Sequence, residues 1–219
     1  MTVVVINPNS TAAMTDAMTQ AARLAEPSLA FEGWTSEGGP PAIQGAEDGA
    51  AATPPLLALV GKAAAGGASG IVIGCFDDTG LAEAARSVAC PVLGIGQAAF
   101  HLCALRSWRF SVVTTLSVSV PVIEANIRGY GLSDSLGRVR ASEVPVLDLE
   151  RWPDRAATPI LEEARRAVEV DGIDAVVLGC AGMVNVTAKL RAALPVPVID
   201  PIEAATGAMA WMTRRDRVG

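Results

Sequence analysis
Two cysteines stand in matched settings. Residues 71–78 read I-V-I-G-C-F-D-D and residues 176–183 read V-V-L-G-C-A-G-M. Each is an apolar, β-branched run that stops at Gly-Cys and then turns. The two thiols, at positions 75 and 180, are 105 residues apart. A thiol ordinarily titrates near pH ~8.5, so both its forms are accessible around neutrality. Two thiols placed alike in two halves of a chain suit a reaction that needs a base on one face of a substrate and an acid on the other. Inversion of a carbon acid beside a carbonyl is such a reaction. One cysteine starts as thiolate and the other as thiol, and the assignment exchanges after each turnover.

The neighbouring residues extend this reading. Cys75 is followed by Phe76-Asp77-Asp78-Thr79-Gly80 and then a helical stretch. A positive helix end there favours the Cys75 thiolate, and Asp77 and Asp78 oppose it by like-charge repulsion. Ala181 and Gly182 follow Cys180 and are small enough for backbone amides to approach a ligand. Those amides, with Thr114 and Thr115, are placed to stabilise an enolate oxygen. Several of these residues also have structural readings. Asn7 and Asn9 flank Pro8 and serve either as turn formers or as substrate contacts. Thr114 and Thr115 are caps or ligand contacts, and Asp77 is an N-cap or a ligand contact. Phe76 is cleft wall or core. Cys90 and Cys103 lack a strand-end turn and read as core. The chain has two lysines, Lys62 and Lys189, and one histidine, His101, none in a cofactor or metal motif. Neither a cofactor nor a metal is expected.

The elements that position these residues follow from hydrophobic runs and breakers. Short apolar runs at 3–6, 29–35, 71–74 and 91–95 alternate with helical stretches at 10–25, 81–88 and 98–105. A loop is expected over 37–49, with Thr53-Pro54-Pro55 opening the helix that follows. In the second half, strands are expected at 110–114, 139–146, 175–179 and 196–199, and helices at 119–130, 155–170, 184–193 and 204–214. Continuous apolar strands alternating with helices indicate an α/β fold with mainly parallel, doubly wound sheets covered on both faces. Ligands gather at the carboxyl ends of such strands, where both Gly-Cys pairs, residues 7–10 and 114–115 fall. Three segments also recur in order at nearly one spacing: 3–10 with 110–117, 71–78 with 176–183, and 90–99 with 196–205. So long a period means two related domains and not a solenoid. They are expected as a lobe of 1–97 plus 207–219 carrying Cys75, and a lobe of 98–206 carrying Cys180.

Bulk properties narrow the function class. The chain has 219 residues, is 51% hydrophobic and only 4% aromatic, and carries a net charge of −6. A core of Val, Ile, Leu and Ala is available, and no basic stripe marks a nucleic-acid surface. No apolar run reaches the ~18 residues of a membrane span. A cytoplasmic protein with reduced cysteines is expected, acting on a small molecule, as a homo-oligomer.

The motifs I-N-P-N-S-T (6–11), G-C-F-D-D-T-G-L (74–81), F-S-V-V-T-T-L (110–116) and L-G-C-A-G-M (178–183) resemble those of hydantoin racemases, within the wider aspartate/glutamate racemase group. The resemblance spans almost the whole chain. It implies two pseudo-symmetric α/β domains, an active site in the cleft between them, and catalysis by Cys75 and Cys180. No cation lies inside either cysteine motif, and Asp77 and Asp78 would repel an acidic substrate. A neutral 5-substituted hydantoin or an allantoin-like ureide fits better. Racemisation of an acidic amino acid, maleate-type cis–trans isomerisation and simple ligand binding between two lobes are the competing readings. The segment Ile43-Gln44-Gly45 matches the family's loop less well and bears on substrate choice.

Overall fold
The structure, a computed structural model, describes residues 1–215. Eight strands form two four-stranded sheets, all of whose pairings are parallel. The first sheet contains β1 (Thr2–Asn7), β2 (Ala30–Thr35), β3 (Gly70–Ile73) and β4 (Val92–Gly94), in the order β2-β1-β3-β4. The second contains β5 (Phe110–Thr114), β6 (Leu136–Ala141), β7 (Ala175–Gly179) and β8 (Val198–Ile199), in the order β6-β5-β7-β8. The same order and direction in both halves is the structural counterpart of the sequence repeat. Every residue of β3, β5 and β7 is buried, as β-branched runs covered on both faces require.

Helices α1 (Ala12–Ala25), α2 (Ala46–Ala65), α3 (Leu81–Ser87) and α4 (Ile95–Leu105) belong to the first half of the chain. Helices α5 (Val120–Gly129), α6 (Val146–Arg151), α7 (Pro153–Val170), α8 (Thr187–Ala193) and α9 (Pro201–Arg215) belong to the second. No helix among the described residues is long and apolar enough to cross a membrane.

One hydrophobic cluster joins the halves. It takes Val5 and Val72 from the first sheet, Phe110, Val112 and Val177 from the second, and Phe100, Cys103, Ala205 and Met209 from α4 and α9. The Phe100 ring stacks on Phe110 at 5.7 Å and meets Phe76 edge-on at 5.3 Å. Burying a side chain of this size contributes about 1.5–3 kcal/mol. Helix α4 touches both β4 and β7, while α9 touches β3, β4 and β7. These two helices therefore form a layer shared by both sheets. The first lobe was expected to take back the chain from residue 207; α9 runs through that point without a break and touches strands of both sheets. Residues 216–219 of that lobe lie outside the described residues.

Two elements differ from expectation. Helix α2 starts at Ala46, well before Thr53, and carries Pro54 and Pro55 inside it. A proline deletes a helix hydrogen bond and costs about 3 kcal/mol in an interior. Here an i, i+4 face of Ala52, Leu56 and Val60 is fully buried and offsets that cost. The strand expected over 139–146 is β6, ending at Ala141, and a short helix, α6, begins at Val146. Glu143 adopts a left-handed conformation (φ 56°) that turns the chain, and Pro145 is the residue before the new helix.

Candidate active site
In each sheet the strand order reverses between the first and third strands, which leaves a crevice at their carboxyl ends. Asn7 and Cys75 follow or end β1 and β3, and Thr114 and Cys180 hold the same places on β5 and β7. The two crevices open into one narrow cavity of about 30 Å³, room for a water or two. The cavity is lined by Asn9, Cys75, Phe76, Asp77, Thr114, Thr115, Cys180 and Ala181. A larger apolar groove of about 610 Å³ lies between α4 and α9, lined by Leu102, Leu105 and Ala208, and neither cysteine lines it. Chemistry therefore selects the smaller space.

Two proposed contacts stand behind the wall. Asn7 is fully buried; its Nδ2 donates to Asn9 Oδ1 (2.9 Å) and Thr15 Oγ1 (3.1 Å), and its Oδ1 accepts from the Asn9 amide. Asn7 thus positions Asn9. Because Asn9 Oδ1 is already taken by Asn7 and the Thr11 amide, Asn9 turns its Nδ2 donor outward, with only Met14 Sδ nearby at 3.8 Å. Gly182 is likewise absent from the lining and acts through its amide, directed at Cys180.

The Cys75 loop is held from both sides. Asp78 adopts φ 49°, a left-handed conformation that aspartate tolerates better than most residues. Its Oδ1 accepts the Gly96 amide at 3.1 Å, and its Oδ2 accepts the Tyr130 hydroxyl at 2.8 Å. A Cβ on Gly96 would run into the Phe76 carbonyl, so that close approach requires glycine. Asn126 Nδ2 donates to the Asp77 carbonyl at 2.8 Å. Helix α5 of the second half thereby braces the Cys75 loop of the first. Phe76 is both cavity wall and core.

The helix end expected at Cys75 serves other groups. Helix α3 begins at Leu81 after Gly80, with no side-chain cap, so Asp77 caps nothing there. The amides at the start of α4 go to Asp78. It is Cys180 that precedes a short 3-10 helix, Ala181–Asn185, with the Gly182 and Met183 amides pointing at its sulfur. Burial nevertheless pushes the Cys180 thiol up to about 12, aided by the charge of Asp77. Burial also pushes the Cys75 thiol up, Asp77 adds to it, and the Thr79 hydroxyl at 3.4 Å works against it. Cys180 in turn raises Cys75, so the two sulfurs interact. All four cysteines are free; Cys103 is fully buried and Cys90 half-buried.

Thr114 Oγ1 donates to the Gly179 carbonyl at 2.9 Å, tying β5 to β7 and capping no helix. Thr115 and Ser119 line the cavity, and no hydrogen bond within the described residues engages their hydroxyls. Ser119, Met14 and Val146 are lining residues that sequence reasoning did not single out, and Ile43, from the segment expected to bear on substrate choice, lines the cavity with them. Ile43 and Val146 come from opposite halves, joined where the Val146 amide donates to Gln44 Oε1 at 3.1 Å. No local motif signals such a pairing. Ser119 stands in the strand-end turn after β5, the one location where it was discoverable.

Asp77 is the outlier. Its Oδ2 is buried with no hydrogen-bond partner among the described residues, and burial pushes its carboxyl up to about 7. A folded value above the ordinary one, near ~3.9, means stability is fully present below pH ~4 and is lost as pH rises through 7. Asp77→Asn is therefore expected to stabilise the protein at pH 8 by about 1–3 kcal/mol, and much less at pH 4. Urea denaturation at the two pH values checks this; equal effects at both would contradict the burial cost.

Residues 3–209 match the family described as Asp/Glu/Hydantoin racemase. The chain belongs to this family. It is an isomerase of the racemase type. This racemase is 45% identical over 202 residues to the hydantoin racemase of Rhizobium meliloti, spanning 91% of this chain and 83% of the relative. The allantoin racemase from Klebsiella pneumoniae superposes with a TM-score of 0.93 at 34% identity, covering 99% of this racemase and 89% of that chain. Glutamate racemase from Francisella tularensis, at 12% identity and a TM-score of 0.73 over 99% of this chain and 82% of its own, shares the fold.

Proposed function
We propose that this racemase inverts the C5 stereocentre of a 5-substituted hydantoin or an allantoin-like ureide by proton transfer between Cys75 and Cys180, without a cofactor. The observation that carries the reading is that both thiols line one cavity from two separate sheets. In the forward step the C5–H bond breaks, the proton goes to the sulfur of the thiolate, and the electron pair passes into the adjacent C4 carbonyl as an enolate. The opposite thiol then gives its proton to the other face of C5 and becomes the thiolate. Asn9 Nδ2 and the Thr115 and Ser119 hydroxyls are the donors available to the enolate oxygen. Entry of the ring requires Ile43 and Val146 to give way, since the closed cavity is small.

The substrate class follows from charge and from the relatives. No Arg, Lys or His lines the cavity, and Asp77 does, which disfavours a second substrate carboxylate. The two relatives described above that share at least 34% identity with this chain are a hydantoin racemase and an allantoin racemase, whereas the glutamate racemase shares 12%. Polarimetry with single enantiomers of several 5-substituted hydantoins, allantoin, aspartate, glutamate and, by absorbance, maleate tests the proposal. Rotation should decay to zero for a ureide and persist for the amino acids. Turnover of aspartate, glutamate or maleate with none of the ureides would overturn it.

A further inference from the structure
Asp77 has no part in the proton transfer itself, yet it shares the cavity with both thiols. It lines that cavity two residues beyond Cys75 and in the same lining as Cys180. Its backbone is fixed by Asn126 and by the anchored Asp78 next to it, so its position is not that of a loose surface carboxylate. Its Oδ2 is buried and unpartnered among the described residues, and the cavity lining offers no cation to pair with it. An ionised carboxylate only accepts hydrogen bonds. An orphaned buried acceptor on a residue that lines a cavity is satisfied when a ligand entering there brings a donor within its reach.

The substrate's own geometry says which donor. The reacting carbon of a hydantoin has two ring neighbours, the C4 carbonyl and the N1–H. The carbonyl edge develops the enolate charge and must face hydrogen-bond donors. A carboxylate there would repel that charge. The edge left for an acceptor beside both sulfurs is the N1–H. We propose that the Asp77 carboxylate accepts the hydrogen bond of the ring N–H adjoining the reacting carbon, and so orients the ring and selects cyclic ureides over rings lacking that donor. This inference rests on the racemase reading above and names the group that sets its substrate class. It also gives a use to a buried charge that costs the fold stability.

An isostere isolates the contact. In 3-methylsuccinimide a ring CH2 replaces N1–H of 5-methylhydantoin, the imide stays neutral near pH 7 as in the hydantoin, and C3–H is the counterpart of C5–H. The readout is enzyme-catalysed exchange of C5–H or its counterpart in deuterated water, followed by NMR, each rate normalised to the buffer-catalysed exchange of the same compound. The wild type should favour the hydantoin by about 10–100-fold, the worth of a hydrogen bond to a charged group. Asp77→Ala should bring the ratio close to one, and Asp77→Asn, which keeps an acceptor oxygen, should retain part of it. Any change in thiol acidity caused by removing the charge affects both rings alike and cancels in the ratio. A wild type that does not discriminate overturns the inference, as does Asp77→Ala slowing both rings by the same factor. If the wild type exchanges neither ring nor any other hydantoin, the racemase reading fails and takes this one with it; exchange without discrimination removes the Asp77 role alone. The wild-type ratio keeps the test decisive even if a variant folds poorly.

Discussion

Cys75→Ser and Cys180→Ser are each expected to lower racemisation by at least about 10³-fold while leaving the fold intact. General acid–base groups contribute roughly 10²–10⁴-fold, and a serine hydroxyl is far too weak an acid to replace a thiol in either direction. The substitution itself is mild. Neither cysteine forms a disulfide, and the one side-chain hydrogen bond at stake is that from Thr79 to Cys75. The two variants should then differ in a diagnostic way. With Cys180 intact and Cys75 gone, the remaining sulfur can still remove the proton of the enantiomer whose C5–H faces it. In deuterated water that enantiomer should exchange its C5 proton without inverting, and the other variant should do the same for its mirror image. NMR and polarimetry on separate enantiomers read both events. Inversion at near wild-type rate by either variant would end the two-thiol mechanism.

Racemisation should also rise steeply with pH. Burial favours the neutral form of both thiols, with Cys180 pushed up to about 12 and Cys75 raised as well. Since a thiolate must start the reaction, kcat/KM should increase about tenfold per unit between pH 7 and pH 9. Asp77 ionises near 7 and places a negative charge beside both sulfurs, while Asp78 titrates in the same range behind it. Asp77 therefore holds the thiolate down, and in Asp77→Asn the same rise should begin at lower pH. The cost appears in stability. A thiol whose folded value is raised contributes fully below the unfolded value, near pH ~8.5, and that contribution disappears as pH rises through the folded one. Cys75, Cys103 and Cys180 all shift this way, so above pH ~8.5 stability should fall by about 1.4 kcal/mol per unit for each thiol. A rate profile paired with urea denaturation at pH 7 and pH 10 checks both limbs. A flat rate across pH 7–9 would show that the bound substrate meets a preformed thiolate.

The parts of the site written in local sequence were the legible ones. A β-branched run that ends in Gly-Cys declares a buried strand and what stands at its end, and the ordered repeat declares a second copy. Both sheets and both cysteine positions follow from that. What escaped depends on which groups meet in space. The Asn-Pro-Asn turn looks symmetric in sequence, but hydrogen bonding sends Asn7 inward and leaves Asn9 at the cavity. A helix was expected to favour the Cys75 thiolate, because a helix does follow it in sequence; its amides, and those of α4, are directed elsewhere. Ile43 and Val146 lie about a hundred residues apart and meet only through the Gln44 contact. Pro54 and Pro55 read as a helix start because a local rule cannot see the buried face that carries α2 through them.

The shared layer of α4 and α9 bears on the order in which the site comes into being. Every residue assigned to the cavity precedes residue 184 in the chain, yet α9 starts at Pro201. That helix supplies Ile202, Ala205 and Met209 to the cluster joining the two sheets. During synthesis, a nascent chain could carry all of its reactive groups and still lack the helix that locks the two crevices against each other. The wall that holds the two cysteine-bearing crevices together is thus completed by residues that lie downstream of every cavity residue in the chain.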